Sequence, residues 1–104
     1  MRVSALEKQW WVYLVRTHRN ALYCGITTDV ERRFTQHCNG RGAKALKGKG
    51  PLELVWSAQV SDSKSEALKL EWQIKQLTKV QKESLVSDGE LFKVLLNKVR
   101  SISH

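Results

Sequence analysis

The chain has 104 residues, with 18 Lys and Arg against 10 Asp and Glu for a net charge of +8. That is one domain's worth of sequence, too short for two independent cores. At 41% apolar and 27% charged residues the composition excludes a disordered or fibrous chain, and the positive excess points to a polyanion, nucleic acid first, rather than to a small metabolite.

Two cysteines, Cys24 and Cys38, are too few for a secreted disulfide framework, so free thiols in a cytoplasmic setting are expected. The apolar run that opens the chain lacks a small-residue cleavage site and breaks at Arg16, so neither a signal peptide nor a membrane span is expected. The charge is concentrated: Arg16 to Gly50 hold eight basic and two acidic residues, which is +6 of the +8. A surplus needed only for solubility would be spread more evenly, whereas a contiguous basic stretch reads as a docking surface for phosphates.

In chain order, Trp10 to Val15 (WWVYLV) and Leu22 to Ile26 (LYCGI) are rich in strand formers and flank polar turn residues Thr17 to Asn20, which predicts a β-hairpin. Tyr13 and Tyr23 share a face of it only if paired positions sum to an even number such as 36 or 38, or if a bulge intervenes. Thr28 and Glu31 have capping-box spacing, so a helix is expected from there to about Cys38, ending at Asn39-Gly40. Val30 and Phe34 would face the core, with Arg33 and His37 one turn apart beside them.

Residues Asn39 to Pro51 (NGRGAKALKGKGP) carry four glycines and four basic side chains and read as a flexible basic loop. Leu52 to Val60 suits a third strand. Ser63 with Glu66 opens a helix to about Leu77, Thr78 with Gln81 opens a short one ending before Asp88-Gly89, and Leu91 to Val99 has the apolar spacing of a last helix. That last helix either completes the core or exposes a stripe to a partner. The sum is a single α+β domain over residues 1–104, a small three-stranded antiparallel sheet flanked by helices. Its core covers about residues 10–77, and a C-terminal helical extension covers 78–100. The four tryptophans, Trp10, Trp11, Trp56 and Trp72, are expected to pack the sheet and its covering helix rather than to stack bases.

One carboxylate sits oddly. Projected at about 100° per residue with Ala67 at zero, Leu70, Ile74 and Leu77 fall between about 280° and 340°, Leu68 at about 100° and Trp72 at about 140°, so Glu71, at about 40°, falls inside the apolar arc. Such a group is costly unless paired or bound to a cation. It is therefore either half of an ion pair with a nearby Lys or Arg, or a metal ligand or acid-base group in a cleft. A glycine at Gly25, two tyrosines, an arginine, a histidine and this glutamate can together cleave a phosphodiester. A cation on the glutamate neutralises charge on the leaving oxygen, arginine holds the phosphate, and a phenol or imidazole takes the proton of water.

The pattern of Tyr13, then Tyr23-Cys24-Gly25, then Arg33, His37 and Glu71 resembles the GIY-YIG nuclease superfamily. The stretches LYCGITTDVERRFTQH, GKGPLELVWS and ALKLEWQIKQL are most similar to short stand-alone bacterial members and to the nuclease domain of Slx-type structure-specific endonucleases. The resemblance implies hydrolysis of DNA phosphodiesters with one divalent ion, Mg2+ or Mn2+, held by Glu71, and a place in DNA repair or recombination. It assigns Tyr13 as general base or water-orienting phenol. Tyr23 would line the phosphate site, Gly25 give close backbone approach, Arg33 bind phosphate and His37 assist proton transfer or contact phosphate. The first motif here reads Trp11-Val12-Tyr13, a mild departure; a more serious one is the asparagine many relatives carry near the end of the domain, for which Asn97 is the only candidate, at a spacing that does not match, and is given no role. With no appended domain, Arg32, Arg41, Lys44, Lys47 and Lys49 would supply salt-sensitive, weakly sequence-selective contacts to branched, flapped or single-stranded DNA. The alternatives are a noncatalytic nucleic-acid-binding module of the same fold and a zinc module using Cys24, Cys38, His37 and His18.

Overall fold

The computed structural model describes residues 8–102; residues 1–7, part of the opening run, lie outside that range. Strands β1 (Trp10–Arg16), β2 (Leu22–Thr27) and β3 (Glu53–Ser61) form one antiparallel sheet in the order β2-β1-β3. Four α-helices complete the described fold: α1 (Val30–Cys38), α2 (Lys64–Lys75), α3 (Lys79–Ser87) and α4 (Gly89–Ile102), with a single 3-10 turn, Lys44–Leu46, in the basic loop. No helix among the described residues is long and apolar enough to cross a membrane.

β1 is apolar without alternation because it is the central strand and is covered on both faces. Val12, Tyr13, Leu14 and Val15 are all buried. One face sends Val12 and Leu14, with Leu22 and Cys24 of β2, against Leu70 and Ile74 of α2, Leu85 of α3 and Leu95 and Val99 of α4. The other sends Tyr13 and Val15 against Leu46, Val30, Phe34, Leu52 and Leu54. The sheet thus lies between α2 to α4 on one side and α1 with the basic loop on the other. The C-terminal helix finishes the core, and Trp56 meets Phe92 edge-on with ring centroids 5.6 Å apart.

The hairpin register pairs Tyr13 with Gly25 and Val15 with Tyr23, the even-sum arrangement that sets both phenols on one face. The turn closes through Thr17 N–H to the Ala21 carbonyl at 2.9 Å, with Asn20 at φ +67°, a left-handed conformation that asparagine tolerates better than most residues.

Three local expectations are corrected. The N-cap of α1 is Asp29, not Thr28: its carboxylate accepts from Arg32 N–H at 3.1 Å, so the helix begins one residue later, because a carboxylate complements the positive helix end better than a hydroxyl. The loop from Asn39 to Pro51 is not a free loop. Leu46 is buried in the Tyr13 and Val15 cluster, and the hairpin tip holds it where His18 N–H and ring Nδ1 reach the Lys49 carbonyl at 3.1 and 2.8 Å. Trp72 does not pack the core but is 60% exposed, and Leu68 is 46% exposed, so the buried arc of α2 closes before about 100° and Glu71 lies at its margin, not inside it. At α2 only half of a capping box forms. Ser63 Oγ accepts from Glu66 N–H at 3.1 Å while the Glu66 carboxylate accepts from Ser61 Oγ. α3 has the complete reciprocal box of Thr78 and Gln81.

Candidate active site

Four of the five residues singled out for chemistry come together on the face covered by α1. β1 supplies Tyr13, β2 supplies Tyr23, and α1 supplies Arg33 and His37 one turn apart. Tyr13 Oη and His37 Nε2 are 2.8 Å apart in a buried contact. The ring of Tyr23 lies 6.5 Å from that of Tyr13 and 5.7 Å from that of His37, centroid to centroid. The closeness depends on Gly25, opposite Tyr13 in the ladder. A Cβ there would stand 2.4 Å from Tyr13 Oη, so the phenol occupies the space any other residue would need.

Burial dominates the electrostatics. It pushes the Tyr13 phenol up to about 12, with the neighbouring Tyr23 adding to the rise, against a hydrogen bond and charge from Arg33. Tyr13 therefore carries its proton at neutral pH. Burial also raises Tyr23, with the charge of Lys75 opposing and that of Glu71 assisting. His37 is lowered by burial and by the Arg33 charge, so its imidazole is neutral at physiological pH. Arg33 Nη1 also donates to Gln36 Oε1 at 2.9 Å, a partner the sequence reading passed over although it lies one turn on.

Glu71 approaches from α2 on the other side of the sheet, and its charge is felt by Tyr23 and by Cys24, whose thiol burial first and then Glu71 push up to about 12. Its side chain is 18% exposed and pairs with Lys75 at 3.4 Å, a half-exposed lysine four residues on. The ion-pair alternative is thus realised, but at a surface that solvent and solutes reach. Exposed pairs of this spacing contribute only about 0.3–0.5 kcal/mol, so Lys75 does not lock the carboxylate.

Among the described residues no three His, Cys, Asp or Glu side chains converge in a way that could hold a metal ion. The zinc arrangement of Cys24, Cys38, His37 and His18 is therefore not formed, and both ring nitrogens of His37 are engaged, Nε2 with Tyr13 and Nδ1 with the Ala43 N–H at 3.2 Å. A single carboxylate instead suits magnesium or manganese, hard cations that keep several waters and take further oxygens from substrate phosphate.

The basic residues lie around this cluster. Arg32 and Arg33 line a hollow of about 200 Å3 with Thr27, Thr28, Asp29 and Gln36. Arg32 and Arg41 line a neighbouring one of about 550 Å3 along the outer face of α1, which Asp29 and Glu31 share. Lys44, Lys47 and Lys49 are exposed on the loop.

The spacing of the two tyrosines, the glycine, the arginine, the histidine and the glutamate extends to a full family match. Residues 9–84 fit the family described as the GIY-YIG catalytic domain. The chain belongs to the GIY-YIG family. GIY-YIG domains are in general nucleases, which act on nucleic acid. The chain is 68% identical over 85 residues to a UPF0213 protein of Vibrio cholerae, covering 82% of this chain and 84% of that one. It is 58% identical over 92 residues to the UPF0213 protein YhbQ of Salmonella typhimurium, covering 88% and 91%. A solution NMR structure of a protein from E. faecalis matches with a TM-score of 0.56 at 32% identity, over 82% of this chain and 90% of that one.

Proposed function

We propose that this GIY-YIG protein is a divalent-metal-dependent endonuclease that hydrolyses DNA phosphodiester bonds, selective for branched, flapped or single-stranded structure and weakly selective for sequence. The observation that carries the reading is the gathering of the Tyr13, Tyr23 and His37 rings, no two centroids more than 6.5 Å apart, with Arg33 hydrogen-bonded to Tyr13 and its charge felt by His37, beside a basic α1 and loop. In this reading Arg33 holds the scissile phosphate and the charge that builds on it. Tyr13, protonated in the free protein, orients the attacking water through its hydroxyl, and Tyr23 walls the phosphate site. Glu71 would hold the Mg2+ or Mn2+ ion, which when bound neutralises charge on the leaving oxygen. Arg32, Arg41, Lys44, Lys47 and Lys49 contact flanking phosphates and so position the strand without reading bases. A place in DNA repair or recombination would follow from structure selectivity.

A second reading, a noncatalytic nucleic-acid-binding module, is favoured by Glu71 approaching from the other side of the sheet with no group of three His, Cys, Asp or Glu side chains among the described residues to hold a cation. One experiment separates the two. Glu71→Ala should abolish magnesium-dependent cleavage of labelled flap, fork and single-stranded substrates while leaving their binding intact. Cleavage that survives the substitution removes the assignment of Glu71, and absence of cleavage by the unaltered protein on every substrate leaves the binding module.

A further inference from the structure

His37 does not meet Tyr13 on its own. The loop that follows α1 folds back over the imidazole, and Ala43 N–H donates to His37 Nδ1 at 3.2 Å. A backbone amide can only donate, so Nδ1 holds a lone pair, and a neutral ring must then carry its proton on Nε2. Nε2 is the atom 2.8 Å from Tyr13 Oη. The hydrogen bond therefore runs from His37 to Tyr13 and the phenol oxygen is the acceptor. The phenol proton is then not shared with His37.

Gly42 makes this approach possible. A Cβ there would lie 2.0 Å from His37 Nδ1 and 2.9 Å from the His37 Cα, so no other residue lets the loop backbone close on the ring. His37 is itself only 2% exposed, which leaves the imidazole little room to retreat. Ala43 is also the residue before the 3-10 turn that begins at Lys44 and buries Leu46, so the same segment that presents the loop lysines sets the state of the histidine.

We propose that Gly42 and Ala43 are positioning residues for Tyr13: the loop backbone pins His37 in its Nε2–H tautomer, which makes His37 a fixed donor to the phenol rather than a base that accepts its proton. The catalytic consequence rests on the nuclease reading, but the tautomer does not. This assignment departs from a proton-accepting histidine, the part the sequence resemblance left open to it.

The test reads the hydrogen bond itself. 15N-detected imidazole spectra of the full chain at neutral pH should show His37 protonated at Nε2, with Nδ1 unprotonated, and a 15N–15N coupling across the hydrogen bond from the Ala43 amide to Nδ1. Gly42→Ala, whose Cβ would press on Nδ1, should remove that coupling and mix the tautomers, and cleavage of a single-stranded or flapped DNA should fall on the order of tenfold to a hundredfold with binding retained. An unaltered protein with its proton on Nδ1, or without the coupling, overturns the proposal, and so does a folded Gly42→Ala protein with unchanged tautomer and unchanged cleavage. Should the unaltered protein cut no DNA while its Nε2–H tautomer is found, the nuclease reading fails and the pinning of His37 stands.

Discussion

Gly25 and Tyr13 are ladder partners in adjacent strands, and the Tyr13 hydroxyl lies where the first side-chain atom of any residue other than glycine would be, 2.4 Å from an ideal Cβ. The obstructing atoms belong to a rigid ring with 2% exposure, so the clash cannot be relieved by a flexible chain end. Gly25→Ala should therefore overpack this face, with a cost of about 1–3 kcal/mol, and turn the phenol away from His37. Thermal unfolding reads the first effect. The second appears as loss of cleavage larger than the stability change explains, measured well below the unfolding transition.

The lowered pKa of His37 gives stability a direction with pH. Burial first, and the Arg33 charge second, hold its folded value below the ordinary 6.5, so the unfolded chain binds the proton more readily in the range beneath 6.5. The contribution is whole above 6.5 and is lost as pH falls through the lowered folded value. Protonation would also place a second hydrogen against Ala43 N–H, and the groups facing the ring, Arg33, Tyr13 and Tyr23, supply no anion at neutral pH to offset the charge. Denaturant midpoints measured from pH 8 down to pH 5 should fall more steeply for the unaltered protein than for His37→Gln, which keeps a donor near Tyr13 but cannot titrate. Parallel curves would remove His37 as the source of the slope.

Much of this arrangement is legible in the sequence, and the remainder is hidden for physical reasons. Trp10 to Val15 and Leu22 to Ile26 declare a hairpin by composition, and the even-sum constraint on Tyr13 and Tyr23 follows from the alternation of side chains along a strand. Ser63 and Thr78 announce their helices because capping is local chemistry. The one-residue displacement at α1 arises because Thr28 and Asp29 are both capping residues and only geometry decides between them. The order of the basic loop is invisible locally. It comes from Leu46 dropping into the Tyr13 and Val15 cluster and from hydrogen bonds between His18 and Lys49 and between Ala43 and His37, contacts that composition cannot report. The same long-range origin explains why Gly42 went unremarked: its glycine is demanded by a ring that projects from another element. A helical wheel counts Leu68 and Trp72 into the apolar arc of α2 and so encloses Glu71, but both side chains are exposed, which leaves Glu71 at the margin of the buried face, and the wheel gives no warning that Lys75 meets it there.

If the loop lysines contact phosphates, the salt dependence of binding counts them. Lys44, Lys47 and Lys49 are exposed, and each contact to a single strand or duplex contributes roughly 0.7 to 0.9 to the slope of log K against log salt. The triple substitution of these residues by Gln should reduce the magnitude of that slope by about 2 to 3 while leaving the imidazole spectrum of His37 unchanged. Fluorescence anisotropy of a labelled oligonucleotide between 50 and 200 mM salt, a range in which such contacts separate clearly, measures it. An unchanged slope would leave α1, through Arg32 and Arg41, as the main phosphate contact.

Lys75 offers the closing test of how free Glu71 is. The pair at 3.4 Å joins a half-exposed lysine to a carboxylate that is 18% exposed, and an i,i+4 pair of this kind stabilises by only about 0.3–0.5 kcal/mol. Its competition with a divalent ion for the same carboxylate is correspondingly small. Lys75→Gln should thus strengthen Mn2+ binding by about twofold, the ratio that 0.4 kcal/mol gives at room temperature, as read from paramagnetic broadening of the Tyr23 signals, and Glu71→Gln should remove the broadening. A change of tenfold or more would mean that the ion pair holds the carboxylate far more firmly than a surface pair does, and a titration indifferent to both substitutions would place the ion away from Glu71.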